Sequence, residues 1–243
     1  MDFQEFSAIC AEAFVKNTLP LPTEAQTDTL YRLTAIMLET NKSMNLTAIK
    51  DEKSVVLKHY VDSLLVSQYI PQGATVLDVG CGAGFPTFPL AIFRPDLTIT
   101  ALDSTAKRIA YVQKTAEALG LENVTAIAAR AEELAQDAKY RERFDVVTAR
   151  AVAALPVLSE LCLPFVRIGG VFLPMKAAKA DEELRAASGA IRICGGTLRE
   201  AYAPMLTDLD GNTEARTLAY ISKTSATPKN YPRHFSKISK KPL

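Results

Sequence analysis

The chain has 243 residues, 48% of them apolar, with 28 Lys or Arg against 27 Asp or Glu for a formal net charge of +1. That length and apolar content suit one α/β domain with a sizeable core and an appendage, not a disordered chain. No apolar run approaches the ~20 residues that span a bilayer, and acids stand in the N-terminal MDFQEFSAICAEAF where a signal peptide carries basic residues, so a soluble, cytoplasmic protein is expected.

The cysteines, Cys10, Cys81, Cys162 and Cys194, are far apart with no CxxC pair, and the chain has two histidines, His59 and His234. That spacing predicts reduced, buried thiols and no metal site. Residues 223–243 hold six Lys or Arg and no acid, leaving 22 basic and 27 acidic groups, a net of −5, in the first 222. An acidic body with a basic tail points to a polyanionic partner met at one end.

Residues 1–72 read as a helical extension. Phe3, Phe6, Cys10, Ala13 and Phe14 recur at the spacing of one apolar helix face. Thr23 and Gln26 fit a capping box, after which Leu30, Leu33, Met37 and Leu38 continue an amphipathic helix. Asp51 can cap a third helix running to about Tyr69, ended by Pro71 and Gly73.

Between 73 and 222 the pattern becomes α/β alternation. The runs TVLDV, LTITALD, VTAIAA, FDVVTA and GGVFLPM are separated by segments of helical composition, which predicts a parallel sheet with crossover helices. TLREAYAPM and RTLAYISK follow with no helix between them, so the last pair is expected to be antiparallel.

The stretch VLDVGCGAGFPTFPLAI carries the chemistry. Glycines 80, 82 and 84 directly after a strand permit a tight turn and close approach to a ligand. Asp103 ends the next strand, where a carboxylate accepts from ribose hydroxyls. A dinucleotide fits poorly, because the GxGxG spacing departs from its fingerprint and Asp78 would repel a pyrophosphate. Asp78 suits the ammonium and sulfonium of S-adenosylmethionine instead. Arg130-Ala131-Glu132, after the third strand, is expected to border the adenine, and Arg150 and Lys176, at the ends of strands four and five, to project two cations toward the cleft.

Missing motifs narrow the chemistry. After strand four stands TARAVAALP, not an (Asp/Asn)-Pro-Pro-aromatic turn for amine methylation. Cys162 lies mid-helix in LSELCLPF, away from any nucleophile position. Because the cleft candidates are cationic, no base stands ready for a carboxyl or hydroxyl acceptor. A nucleophile with a free lone pair, such as a purine N7, needs only alignment.

Read together, Asn45-Leu46-Thr47-Ala48-Ile49, His59 with Asp62-Ser63-Leu64, Asp78 to Pro86, Leu102-Asp103-Ser104, Lys107-Arg108, Arg130-Ala131-Glu132, Arg150-Ala151-Val152-Ala153, Lys176 and the closing Lys240-Lys241-Pro242-Leu243 resemble the bacterial 16S rRNA guanine-N7 methyltransferase family, also called glucose-inhibited division protein B. The resemblance implies a class I S-adenosylmethionine-dependent methyltransferase fold, Rossmann-like, with a mostly parallel seven-stranded sheet and an antiparallel last strand. It implies methyl transfer to N7 of guanine 527 in 16S rRNA, within the small ribosomal subunit or its precursor, by a monomer. Gly80, Phe85, Ala131, Glu132 and Arg150 would contact the cofactor, joined by Asp78, Gly82, Gly84, Asp103 and Ser104. Arg150 and Lys176 would be catalytic; Asn45, Arg233, Lys237, Lys240 and Lys241 would contact RNA. The chain departs from the family at Thr40, where Trp is common, at Ala177 and Ser236, where Gly is common, and at Ile238, where Pro is common.

His59, Asp62 and Ser63 share one helix face and are expected to dock the N-terminal helices or line the substrate channel, not to form a triad. In the tail, Tyr231 and Phe235 alternate with Arg233, Lys237, Lys240 and Lys241, a pattern suited to stacking on unpaired bases and tracking phosphates. A non-catalytic RNA-binding factor with a relic pocket and a small-molecule methyltransferase remain as rivals at this level.

Overall fold

The computed structural model describes residues 1–177 and 180–243. Helix Phe3–Lys16 starts at Asp2, whose carboxylate accepts from Glu5 N–H at 2.8 Å. Helix Glu24–Met44 starts with the expected reciprocal box between Thr23 and Gln26, which satisfies N–H groups that have no partner within the helix. Phe6, Phe14, Leu30, Leu33 and Met37 are fully buried between these helices and the body, each contributing about 2 kcal/mol.

The third helix is shorter and less regular than its pattern suggests. Asp51 caps it through Ser54 N–H, and it is α-helical at Glu52–Val55, π-helical at Val56–Val61 and α-helical again at Asp62–Leu64. A 3₁₀ turn, Ser67–Tyr69, replaces its expected last turn. In the widened stretch Asp62 N–H turns to the carbonyls of Leu57 and His59, so the Lys58 carbonyl is open to a donor from elsewhere.

The strands are β1 (Thr75–Val79), β2 (Thr98–Asp103), β3 (Val124–Ala128), β4 (Phe144–Arg150), β5 (Val166–Ala177), β6 (Gly196–Tyr202), β7 (Met205–Thr207) and β8 (Thr213–Lys223). Their order is β3-β2-β1-β4-β5-β8-β6, parallel through β5, with β8 antiparallel to both neighbours and the short β7 paired to β8. The run TLREAYAPM therefore divides in two and adds an eighth strand: Pro204 brings no N–H to a ladder, and pairing resumes only at Met205. Strand order runs outward in opposite directions from β1 and β4, so the loops after these two strands part and leave a crevice at their carboxyl ends.

Helices cover both faces of the sheet. One core joins the N-terminal helices to helix Ala106–Leu119, and the other joins helices Leu155–Cys162 and Ala180–Ile193 to the tail. The tail is packed along much of its length. Lys223 is 1% exposed and donates to the carbonyls of Leu163 and Cys194 and to Thr227 Oγ1, with Glu142 at 3.1 Å. Further on, Ile238 of helix Phe235–Lys240 is fully buried.

Candidate active site

The turn after β1 is shaped by its glycines. Gly80, Gly82 and Gly84 take φ of +74°, +56° and +88°. At Gly80 a Cβ would stand 2.6 Å from Val152 Cγ2, and at Gly84 it would meet the Phe88 ring at 2.2 Å, so both backbone approaches require glycine. The N–H groups of Gly80 and Cys81 donate to Leu102 O at 2.7 and 3.0 Å, tying the turn to β2. Asp103 accepts from Gly82 N–H at 3.1 Å and from Thr105 N–H at 2.8 Å, with Arg108 3.6 Å away.

Asp78 lies at the root of this turn, 1% exposed. One carboxylate oxygen accepts from Thr87 Oγ1 at 2.7 Å, while Oδ1 is buried with no hydrogen-bond partner among the described residues. Burial pushes the carboxyl up to about 6, and the Thr87 hydrogen bond and the Arg150 charge offset part of that rise. A buried oxygen left in want of a donor is the group that a cationic ligand moiety would satisfy.

A cavity of about 270 Å³ opens beside the turn, lined by Gly80, Asp103, Ser104, Ala131 and Glu132 among others. Asp78, Gly82, Gly84, Phe85 and Arg150, all expected to contact the cofactor, do not line it; the first four support the turn from within, and Arg150 lines the neighbouring cleft. Glu132 is buried and accepts from Arg130 Nε at 3.0 Å, and the Arg130 guanidinium lies 4.7 Å from the centre of the Phe235 ring, which forms another part of the wall. Phe235 and Val152 thus join the cavity although neither was among the residues expected to meet the cofactor. For Phe235 the only sequence signal was an aromatic in a basic tail.

A second cleft of about 400 Å³ adjoins the first, with Ala151 in the walls of both. Arg150 crosses its floor. Its Nη1 donates to Lys58 O at 2.9 Å, the carbonyl the π turn leaves open, and to Asp62 Oδ2 at 3.0 Å; Nη2 lies 3.1 Å from His59 Nδ1. Arg216 of β8 donates from Nε to the other oxygen of Asp62 at 2.7 Å. Lys176 donates to Ala153 O and pairs with Glu183, both at 2.9 Å. Arg150 and Arg216 thus share Asp62, Arg216 also pairs with Glu214 at 3.1 Å, and Lys176 has Glu183.

His59 stacks on Phe85, centroids 4.3 Å apart and planes 4° from parallel, and its Nε2 lies 3.0 Å from Thr47 Oγ1. Burial and the neighbouring Arg150 charge push the imidazole down to about 3, so the ring is neutral, accepting from Arg150 at Nδ1 and donating to Thr47 from Nε2. His59 and Asp62 thus join the third helix to β4 and β8. Ser63 takes no part: its hydroxyl is buried without a partner among the described residues. Arg216 and Glu183 carry no motif, and only the convergence of β8 and helix Ala180–Ile193 on this cleft reveals them.

The five residues expected to meet RNA divide by setting. Lys237, Lys240 and Lys241 lie on or just after helix Phe235–Lys240 and are exposed. Asn45 is exposed in the left-handed position that ends helix Glu24–Met44, φ 50°. Arg233 is engaged within the fold. It donates from Nε and Nη2 to Glu160, which is fully buried, and from Nη2 to Lys241 O. Among the described residues no group of three or more His, Cys, Asp or Glu could hold a metal, and no helix is long and apolar enough to cross a membrane.

Comparison with known proteins agrees with this geometry. An O-methyltransferase from Bacillus cereus, solved in complex with SAH, aligns with a TM-score of 0.56 at 18% identity, covering 91% of this chain and 100% of that one. M. jannaschii TYW2, solved in complex with AdoMet, aligns with a TM-score of 0.52 at 17% identity, covering 67% of this chain and 76% of that one. These likenesses establish the class I, Rossmann-like methyltransferase fold. Curated relatives named ribosomal RNA small subunit methyltransferase G are nearer in sequence: one from Lactobacillus delbrueckii subsp. bulgaricus is 46% identical, over 85% of this chain and 87% of its own length. Another, from Leuconostoc citreum, is 44% identical over 91% and 92%. The model of the family described as rRNA small subunit methyltransferase G matches residues 26–203. A glycine turn over a buried acid, beside a cleft of paired charges, is thus set within an rRNA methyltransferase sequence, and the chain belongs to the rRNA small subunit methyltransferase G family.

Proposed function

We propose that this methyltransferase transfers the methyl group of S-adenosylmethionine to N7 of guanine 527 in the 16S rRNA of the small ribosomal subunit. The observation that carries the reading is the buried, unpartnered Asp78 oxygen beside a cleft in which Arg150, Lys176 and Arg216 are each paired with a carboxylate. When bound, S-adenosylmethionine supplies an electrophilic methyl group on a cationic sulfur. Asp103 would accept from the ribose hydroxyls of that ligand, and Ser104 and the Arg130–Glu132 turn would border its adenine. Asp78, buried beneath the turn, would favour its positive end through charge and not through direct contact. Gly80 allows the backbone to come close.

Purine N7 attacks with its own lone pair. The N7–C bond forms as the C–S bond breaks, no proton leaves, and positive charge passes to the purine. A cleft with bare cations would oppose that charge; here Asp62 screens Arg150 and Glu183 screens Lys176. The residues therefore orient and desolvate the base, and alignment supplies the rate. Arg150 and Lys176 contact the base as positioning cations, and Asn45, Lys237, Lys240 and Lys241 contact the RNA around it.

The test uses small subunits from a bacterium lacking the corresponding gene, incubated with the protein and S-adenosylmethionine. Borohydride and aniline then cleave the 16S rRNA at 7-methylguanine, and a single new cut at position 527 is expected. Transfer of label without that cut would overturn the choice of atom. Asp103→Ala should abolish S-adenosylmethionine binding measured by calorimetry, and unchanged affinity would overturn the cofactor assignment.

A further inference from the structure

Methyl transfer to N7 leaves one requirement unmet, because adenine offers the same N7. The two purines differ along the edge that continues from it. Guanine presents N7, then the acceptor O6, then the donor N1–H; adenine presents N7, then a donor amine, then a bare acceptor N1. A wall that reads guanine must therefore set, beyond the methyl donor, first a hydrogen-bond donor and then an acceptor.

The strap after β4 holds one donor and one acceptor side by side in the cleft. Ala151 forms the wall shared by both cavities, the carbonyl of Ala153 holds the Lys176 ammonium at 2.9 Å, and the N–H of Leu155 holds Glu183 Oε2 at 2.9 Å. Lys176 and Glu183 are themselves 2.9 Å apart and both line the larger cleft. An ammonium has three donors; Lys176 gives one to Ala153 O and lies 2.9 Å from Glu183 Oε2 as an ion pair, which leaves at least one. Glu183 commits Oε2, and Oε1 has no partner among the described residues. The Glu183 side chain is 37% exposed, so as an ion pair alone the couple would add little stability.

We propose that Lys176 and Glu183 are the pair that selects guanine over adenine, Lys176 donating to O6 and Glu183 accepting from N1–H. The assignment rests on the guanine-N7 reading above. Against adenine both hydrogen bonds fail: the ammonium meets an amine and the carboxylate meets a lone pair.

Small subunits reconstituted from 16S transcripts with guanine or adenine at the target position test the pair, with transfer counted from S-adenosylmethionine labelled at the methyl. Glu183→Gln replaces an acceptor with an amide that can also donate, so the guanine-to-adenine ratio of kcat/KM should fall about tenfold, mainly through loss on guanine. Affinity for S-adenosylhomocysteine, measured by calorimetry, should stay within about twofold, since Glu183 lines the substrate cleft and not the cofactor cavity. An unchanged ratio overturns the pair, as does equal loss on both bases. Should Glu183→Gln lose S-adenosylhomocysteine binding, Glu183→Asp, which keeps the charge and shortens the reach, must lower the same ratio for the proposal to stand. Failure of the underlying reading has a separate signature, the lack of borohydride and aniline cleavage after treatment with the unaltered protein.

Discussion

Asp62 holds two arginines at once: Arg150 from the end of β4 at 3.0 Å and Arg216 from β8 at 2.7 Å. A carboxylate from the N-terminal helices thus joins two sheet strands at the second cleft. Asp62→Asn keeps the shape and removes the charge, leaving the partly buried Arg150 guanidinium without a carboxylate and Arg216 with Glu214 alone. The expected cost is about 2 kcal/mol in urea unfolding, with a larger fall in kcat/KM than in S-adenosylmethionine affinity. Equal falls in both would assign Asp62 to the cofactor.

Asp78 should make cofactor binding depend on pH. Its carboxyl is pushed up to about 6 by burial, and a cationic ligand favours the ionised form, so affinity rises with pH through that value. Calorimetry should show about tenfold weaker S-adenosylmethionine binding at pH 5 than at pH 7. Asp78→Asn should bind weakly at both, with a flat profile. A steep profile in that variant would point to another group.

His59 should make the fold acid-sensitive. Its folded imidazole is pushed down to about 3, whereas the unfolded side chain binds a proton near 6.5, so the unfolded state holds more protons between those values. Stability from this residue is complete above the unfolded value and is lost as pH falls below it, by at most about 1.4 kcal/mol per unit. Gln at position 59 can accept from Arg150 and donate to Thr47 without titrating. The stability of His59→Gln should therefore fall less between about pH 6.5 and pH 4.5 than that of the unaltered chain, in urea unfolding at each pH. Carboxylates titrate alike in the two proteins, so their effect cancels in the comparison. Parallel curves would remove His59 from the account.

The tail combines an anchor with a charged face. Arg233→Ala leaves Glu160 charged and buried, at an expected cost of about 3 kcal/mol, part of which Glu160→Gln should restore in the double variant. Replacing exposed Lys237, Lys240 and Lys241 with Ser should leave the melting temperature unchanged. The slope of log affinity for 16S rRNA against log salt should shrink by about 2, near 0.7 for each phosphate no longer neutralised. An unaltered slope would show that these lysines do not meet RNA.

The α/β alternation, the Thr23 box, the Asp51 cap and the glycine turn were legible in the sequence because each depends on residues within a few turns or one strand of each other. Positive φ at Gly80, Gly82 and Gly84 follows from a tight turn over a buried acid, and Asp78 and Asp103 declare themselves by their spacing from it. Other features depend on distant partners. The π turn at Val56–Val61 leaves the Lys58 carbonyl open to a guanidinium 92 positions away, and periodicity holds no sign of that. Arg216 reaches Asp62 because the antiparallel register of β8 sets it opposite Ala177, beside Lys176. The tail's aromatic, Phe235, lies over Arg130 in a segment that the Arg233–Glu160 pair anchors to the body. The sequence by itself determined the fold class, the family resemblance and the glycine turn, since propensity, spacing and backbone sterics act locally. Tertiary structure decided which charges neutralise one another around the second cleft, since ion pairs and hydrogen bonds there form only once strand order and register bring remote side chains within about 3 Å.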